Sequence, residues 1–232
     1  MIDYSRRSYE KELLDRDDIP FNDIQQNMRE LDFINTFLGG HSITIYGLKK
    51  LLGDRKNISV CEIGCGGGDN LNAINNWAIK NKVEVSFTGV DINPNCIIYA
   101  QKKSKIKNIN FITSDYKLVE FSKKPDVIFS SLFCHHFTDE ELIRMMKWMK
   151  ANSQIGFFVN DLHRHPLSYH FIKFASRLFS SSYLVKNDAP LSVLRGFKKD
   201  DWLYILKQAE VTKYTIEWKW AFRYVVTVRA EN

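Results

Sequence analysis

Three acids in this sequence stand at positions where short apolar runs give way to turns. Glu62 lies near the end of ISVCEI and is followed by Gly64, Cys65, Gly66, Gly67 and Gly68, Asp91 closes EVSFTGVD, and Asp115 follows INFITS. Four of the chain's 11 glycines thus fall within five positions. Glycine admits positive φ and close backbone approach, so the cluster predicts a loop laid against a ligand. A dinucleotide site needs G-x-G-x-x-G to seat a pyrophosphate, but here the third glycine comes early and the acid Asp69 follows the last one. A ligand with a cationic head suits this loop better. A second group of reactive side chains comprises His135 and His136 in SSLFCHHF, and Asp161, His163 and His165 in NDLHRH. An imidazole oriented by a carboxylate accepts a proton near neutrality, which makes His136 or His135, with Asp161 as its partner, candidates for a base. His163 and His165 precede Pro166 and read as loop packing ahead of a helix.

These residues need a scaffold that brings distant segments to one edge. The runs 58–63, 84–91, 109–113, 126–133 and 154–161 are short, apolar and rich in β-branched or aromatic residues. Between them lie helical stretches, among them DNLNAINNWAIK, PNCIIYAQKKS and DEELIRMMKWMK. Strands alternating with helices predict a parallel, doubly wound α/β sheet whose loops bind ligands at the carboxyl edge. After a helix expected near 198–209, YTIEWKW and FRYVVTVR follow with no room for a crossover, so the chain should close in an antiparallel hairpin. Residues 1–50 read as a helical cap. In that cap Asp23 is the expected N-cap, and Ile24, Met28, Leu31, Ile34 and Leu38 form an apolar stripe ending at Gly39-Gly40. Residues 162–197 are too apolar for a linker and should pack over the cleft.

Composition narrows the classes. The 232 residues are 44% hydrophobic, enough for one packed core, and are expected to form a single domain with a cofactor-binding core at 51–161 and a closing unit at 198–232. No apolar run reaches the roughly 20 residues of a membrane span, and the polar N-terminus does not resemble a signal peptide, so a cytoplasmic protein without membrane insertion is expected. Cys61, Cys65, Cys96 and Cys134 lack the paired spacing of a zinc site, and no metal is expected. Net charge is +6, and residues 163–232 carry all of the excess, with 12 Lys and Arg against 6 Asp and Glu. A basic surface of this density falls short of the stripe of a nucleic-acid reader, but it can attract an anionic substrate.

The acid-glycine loop Glu62-Ile63-Gly64-Cys65-Gly66-Gly67-Gly68, followed 27 positions after Gly64 by Asp91 and 24 later by Asp115, resembles the class I S-adenosylmethionine-dependent methyltransferases. The resemblance implies a Rossmann-like seven-stranded sheet with S-adenosyl-L-methionine as cofactor. It places Glu62, Gly64, Cys65, Gly66 and Gly68 along the methionine moiety. Asp91, with Ile92 beside it, falls at the ribose hydroxyls, and Asp115 with Tyr116 at the adenine. Leu132 also falls in the cofactor cleft. The outer segments KELLDRDDIP…NTFLGG and NDLHRHPLSY…APLSVLRGF resemble a bacterial quinone-methylase-like group associated with polyketide synthases. This implies methylation of a small aromatic, quinol or polyketide-derived acceptor, at oxygen in the first instance, with Arg164 and Arg195 available for an anionic or carrier-bound molecule. The aromatic residues Phe33, Phe37, Tyr169, Phe171, Phe174 and Tyr183 suit a flat acceptor. An RNA-binding methyltransferase or an inactive RNA-binding relative is the alternative, and a nicotinamide oxidoreductase the third.

Overall fold

The computed structural model describes residues 2–16 and 18–230. Seven strands form one sheet: β1 (Asn57–Ile63), β2 (Glu84–Asp91), β3 (Ile109–Thr113), β4 (Val127–Ser131), β5 (Gly156–Leu162), β6 (Tyr214–Lys219) and β7 (Arg223–Arg229). Their order is β3-β2-β1-β4-β5-β7-β6. The first five are parallel, β7 enters antiparallel to β5, and β6 pairs antiparallel with β7 at the edge. Parallel strands buried on both faces are apolar almost throughout, and β4 and β5 accordingly read VIFSS and GFFVNDL.

The helices are α1 (Phe21–Phe37), α2 (Gly40–Leu52), α3 (Asp69–Asn81), α4 (Pro94–Lys103), α5 (Asp139–Asn152), α6 (Pro166–Phe179), α7 (Tyr183–Arg195) and α8 (Lys199–Gln208). On one face of the sheet α5 buries Leu142, Met145, Met146 and Met149, a spacing of i, i+3, i+4, i+7 that makes a single stripe. Thr138 starts this helix through a capping box with Glu141. Trp202 of α8 is fully buried and stacks on Phe197 with centroids 4.1 Å apart. On the other face, Leu48 and Leu51 of α2 and Leu71 and Ile74 of α3 close over Phe129 and Phe158. A methyl group at Gly47 would come within 2.5 Å of the Phe158 ring, so glycine lets α2 lie directly on β5. Burial of each such side chain contributes on the order of 1.5–3 kcal/mol.

The N-terminal segment departs from expectation. Before α1 the described residues hold only one short 3-10 turn, Leu13–Asp15, and the expected continuous helical cap begins at Phe21. Glu10, Lys11, Glu12, Asp15, Arg16 and Asp18 leave this stretch without an apolar stripe, and Pro20 disfavours helix in the residue before it. Its backbone is satisfied from elsewhere: Asp188 of α7 accepts from Leu13 N at 2.8 Å and from Leu14 N at 3.0 Å. Arg7 donates to the carbonyls of Arg195 and Phe137 and lies 4.3 Å above the Phe197 ring. Helix α1 starts after Pro20, so Asp23 sits inside the first turn, where its charge suits the helix dipole and its carboxylate accepts from the Tyr183 hydroxyl. Gly39 separates α1 from α2 at φ +77°.

Candidate active site

The expected cofactor residues gather at the carboxyl ends of β1, β2 and β3. The turn after β1 passes through Gly64 at φ +67° and Gly66 at φ +50°, conformations that side chains with a Cβ rarely adopt. A Cβ on Gly64 would also collide with the Phe133 ring, so Gly64 is required twice over. Asp91 holds the turn: its carboxylate accepts from Gly66 N at 2.8 Å and from Asn93 N at 2.9 Å. Each Asp91 oxygen retains a lone pair for a further donor. Burial pushes the Asp91 carboxyl up, against the pull of the Asn93 and Gly66 amides.

A cavity of about 450 Å³ opens beside this turn, lined by Gly64, Asp91, Ile92, Asp115, Tyr116 and Phe133, among others. Asp115 accepts from Lys117 N at 3.0 Å, so its cap role and its place in the cavity coexist. The Tyr116 ring packs edge-on against Trp148 and its hydroxyl is buried without a partner. Glu62 lies beneath the glycine turn, 1% exposed; Asn70 donates to one carboxylate oxygen at 2.8 Å and the other has no partner. Burial pushes the Glu62 carboxyl well up, with the nearby Asp69 and Asp91 charges adding to it and the Asn70 bond opposing. An orphaned buried acid, the open face of Gly66 and a second acid with free lone pairs fit a ligand that has a cationic head and a diol. Cys65 is buried behind the turn and donates its backbone N–H to the Val90 carbonyl, while Gly68 caps α3. Asp69, expected to repel a diphosphate, forms an ion pair with Lys103.

Leu132 leaves the expected set. It takes φ +52°, donates its N–H to the Asn160 carbonyl, and lines a second cavity of about 890 Å³. That cavity is walled by α1, α6, α7, the N-terminal segment, the turn after β4 and the β6–β7 turn. The stripe predicted on α1 faces it through Leu31, Ile34 and Leu38. Most of the predicted aromatics do not. Phe171 lines the cavity, whereas Phe33, Phe37, Phe174 and Tyr183 are exposed on outer faces and Tyr169 is buried against Tyr4.

His135 and His136 reach the same cavity from the 3-10 turn after β4. The structure divides the carboxylates between them. Asp161, at the end of β5, meets His135 Nδ1 at 2.8 Å, and His136 Nδ1 meets Asp15 at 3.0 Å. Pairing of His136 with Asp161 is therefore corrected, because the two imidazoles lie side by side, tilted by 33° with centroids 4.3 Å apart, and only the first meets Asp161. Burial works against the Asp161 charge, but His135 holds the carboxyl below its usual range. Burial likewise opposes charge on His136, yet the Asp15 hydrogen bond and the Glu12 charge raise its pKa. Glu12 lies 3.6 Å from His135 Nε2 and 3.9 Å from His136 Nε2, and accepts from the Ser192 hydroxyl at 2.7 Å. Among the described residues these three offer ligand atoms within 4.8 Å of one another, the set nearest to a metal site. Arg195, 3.9 Å from the same Glu12 carboxylate and 3.7 Å from Asp15, already supplies a cation there.

Several participants carry little signal in the sequence. Glu12 and Asp15 sit in a charged stretch with no period, and only their i, i+3 spacing hints at joint use. Asn70 and Arg223 lie inside a helix and a strand. Arg164 and Arg195, expected to hold an anion, are instead internal clamps: Arg164 is fully buried on the carbonyls of Tyr4, Ser5 and Gly196 and on Asp201, and Arg195 on the carbonyls of Glu10 and His135. His163 packs at 5.0 Å against Tyr224, and burial with the neighbouring cations pushes it down to about 4. His165 caps α6, as the loop reading has it.

Comparison with known proteins gives the family and the fold. Residues 54–209 match the family model described as a methyltransferase domain. The plantazolicin methyltransferase BpumL, solved with SAH, is 19% identical over 93% of this chain and 92% of its own, with a TM-score of 0.68. Human N-acetylserotonin methyltransferase, solved with SAM, is 16% identical over 91% of this chain and 56% of its own, at 0.64. The magnesium protoporphyrin IX methyltransferase of Synechocystis PCC 6803 is 17% identical over 86% of this chain and 87% of its own, at 0.57. No curated protein matches the chain in sequence. With a family match over most of its length, the chain belongs to the methyltransferase-domain family and is a class I S-adenosylmethionine-dependent methyltransferase.

Proposed function

We propose that the chain methylates an oxygen of a small aromatic, quinol or polyketide-derived acceptor bound in the 890 Å³ cavity, with His135 taking the proton. The observation that carries this reading is the His135–Asp161 pair opening onto an apolar cavity separate from the cofactor turn. The carboxylate of Asp161 accepts from Nδ1–H, which leaves the Nε2 lone pair free to receive a proton. Glu12, 3.6 Å from Nε2, then stabilises the imidazolium. His136 is the second candidate, since its partner Asp15 is partly exposed whereas Asp161 is fully buried.

The residues of the first cavity would hold S-adenosylmethionine, with Asp91 at the ribose and Asp115 and Tyr116 at the base, while the glycine turn, with Glu62 buried beneath it, would take the methionine end. When bound, the cofactor supplies a methyl group already activated on a sulfonium, and the C–S electron pair stays on sulfur as the new O–C bond forms. Most of the acceleration then comes from alignment of the acceptor oxygen, which is the task of the cavity walls. A general base adds about 10²- to 10⁴-fold. The test is methyl transfer from radiolabelled cofactor to a panel of phenols and quinols, with extraction of the labelled product. Transfer to none of them, in protein that binds the cofactor, would contradict the acceptor class. Two of the structural relatives are methyltransferases of plantazolicin and of magnesium protoporphyrin IX, so a desmethyl-plantazolicin analogue and a magnesium porphyrin belong in the same panel.

A further inference from the structure

The structure assigns Arg223 as an anion anchor in the acceptor cavity, so that the acceptor carries a carboxylate or an equivalent anionic oxygen pair beside the oxygen that is methylated. This rests on the methyltransferase reading above and names the chemistry that the large cavity selects. Arg223 is the first residue of β7, and its side chain enters the cavity wall just beyond the β6–β7 turn. The residue is 4% exposed. One terminal nitrogen, Nη2, donates to Asn35 Oδ1 of α1 at 2.7 Å; the other, Nη1, is buried with no hydrogen-bond partner. No ion pair to this guanidinium forms among the described residues, and it is the only Lys or Arg of the described residues that line the cavity.

A buried, unmatched guanidinium is expensive, because each N–H withdrawn from water without an acceptor forfeits its solvation. Burial accordingly pushes Arg223 down to about 10, with only the Asp161 charge opposing. No acid around the cavity accepts a hydrogen bond from it among the described residues. Asp161 is engaged by His135 and by the Leu162 amide, Glu12 by Ser192, and Asp188 by the amides of Leu13 and Leu14. The remaining sources of an acceptor atom are cavity water and a bound molecule, and of these only an anion also matches the buried charge. A carboxylate is the natural match, since a guanidinium presents planar N–H donors in a fork that fits two carboxylate oxygens.

Strand topology brings the anchor and the base to one cavity. His135 follows β4 and Arg223 opens β7, both strands flank β5, and both side chains line the same space. An acceptor held by its anionic group at Arg223 is thereby confined to the cavity that His135 lines, which limits the oxygens it can present for methylation.

The test uses matched pairs of hydroxybenzoates and hydroxybenzamides, titrated calorimetrically into the intact chain saturated with SAH. The carboxylate member of at least one pair should bind about tenfold or more tightly than its amide, the usual strength of a charge-assisted hydrogen bond. Arg223→Gln should abolish this preference while SAH affinity stays as in the wild type, and Arg223→Lys should retain part of it. Equal affinity within every pair for the wild type, including no measurable binding by either member, overturns the assignment, as does a preference that survives in Arg223→Gln. Should Arg223→Gln not fold, the wild-type pairs decide alone. Absence of SAH binding at the outset would instead count against the methyltransferase site, which separates the two failures.

Discussion

The two cavities of this protein are built in opposite ways. On the cofactor side, a turn of five residues and two acids at successive strand ends make the site, each part fixed by its own segment: Gly64 and Gly66 by positive φ, Asp91 by the amides of Gly66 and Asn93. On the acceptor side no segment suffices. His135 depends on Asp161 from β5, His136 on Asp15, and both on Glu12, which is placed by Ser192 of α7. On the reading proposed above, the difference teaches that the cofactor half comes with the sheet, while the acceptor half draws on the N-terminal segment and α7.

Removing the docking segment should have the largest effect. Deletion of residues 1–16 takes away Arg7, Glu12 and Asp15 together, and turnover should fall by at least the 10²- to 10⁴-fold share of a general base, because His135 then loses the carboxylate that steadies its charged form. Cofactor affinity should stay within a few-fold of the intact chain. If both fall together in protein that is still folded by circular dichroism, the two halves are not separable.

Next in size is the base itself. His135→Ala should lower kcat by about 10²- to 10⁴-fold at pH 7 and recover part of the loss as pH approaches the acceptor's own pKa. His136→Ala should cost less, since its partner Asp15 is partly exposed whereas the Asp161 that orients His135 is fully buried. A loss in His135→Ala that is the same at every pH would leave it a positioning residue. A pH profile under chelation sharpens the same point. Dialysis against a strong chelator should leave kcat unchanged, and a loss restored by one divalent ion would turn Glu12, His135 and His136 from an ionic network into ligands.

On the cofactor side the expected changes are in binding. Asp91→Ala should weaken the cofactor complex by about 1.5–3 kcal/mol, the worth of hydrogen bonds to a charged group. The smallest effect concerns protons. Burial raises the Glu62 carboxyl, and a cation beside it opposes that shift. S-adenosylmethionine binding should therefore release protons over the range in which Glu62 titrates, seen as a binding enthalpy that varies with buffer, and Glu62→Gln should remove the variation.

The contrast between the halves also explains what can be read from the chain. Strand and helix periods place β1 to β5 and the closing hairpin within a few residues, because apolar alternation and glycine turns are local signals. Glu62, Asp91 and Asp115 are legible for the same reason. The segment before Pro20 reads as helix and is not one, because its charges and amides belong to partners more than a hundred residues away: Glu12 to Ser192, and Leu13 and Leu14 to Asp188. Assignment of Asp161 to His135 over His136 turns on which adjacent imidazole faces β5, and Arg223 is one arginine in an alternating strand until α1 folds over it. Neither has a signature in spacing.

Titration of SAH into the wild type, Asp91→Ala and His135→Ala, paired with methyl-transfer rates for the same three proteins, tests the separation of the halves most directly. The account predicts one site in the wild type, an affinity about ten- to a hundredfold lower in Asp91→Ala, and wild-type affinity with lost turnover in His135→Ala. Absence of SAH binding in the wild type, or an affinity that drops equally in both variants, would contradict it.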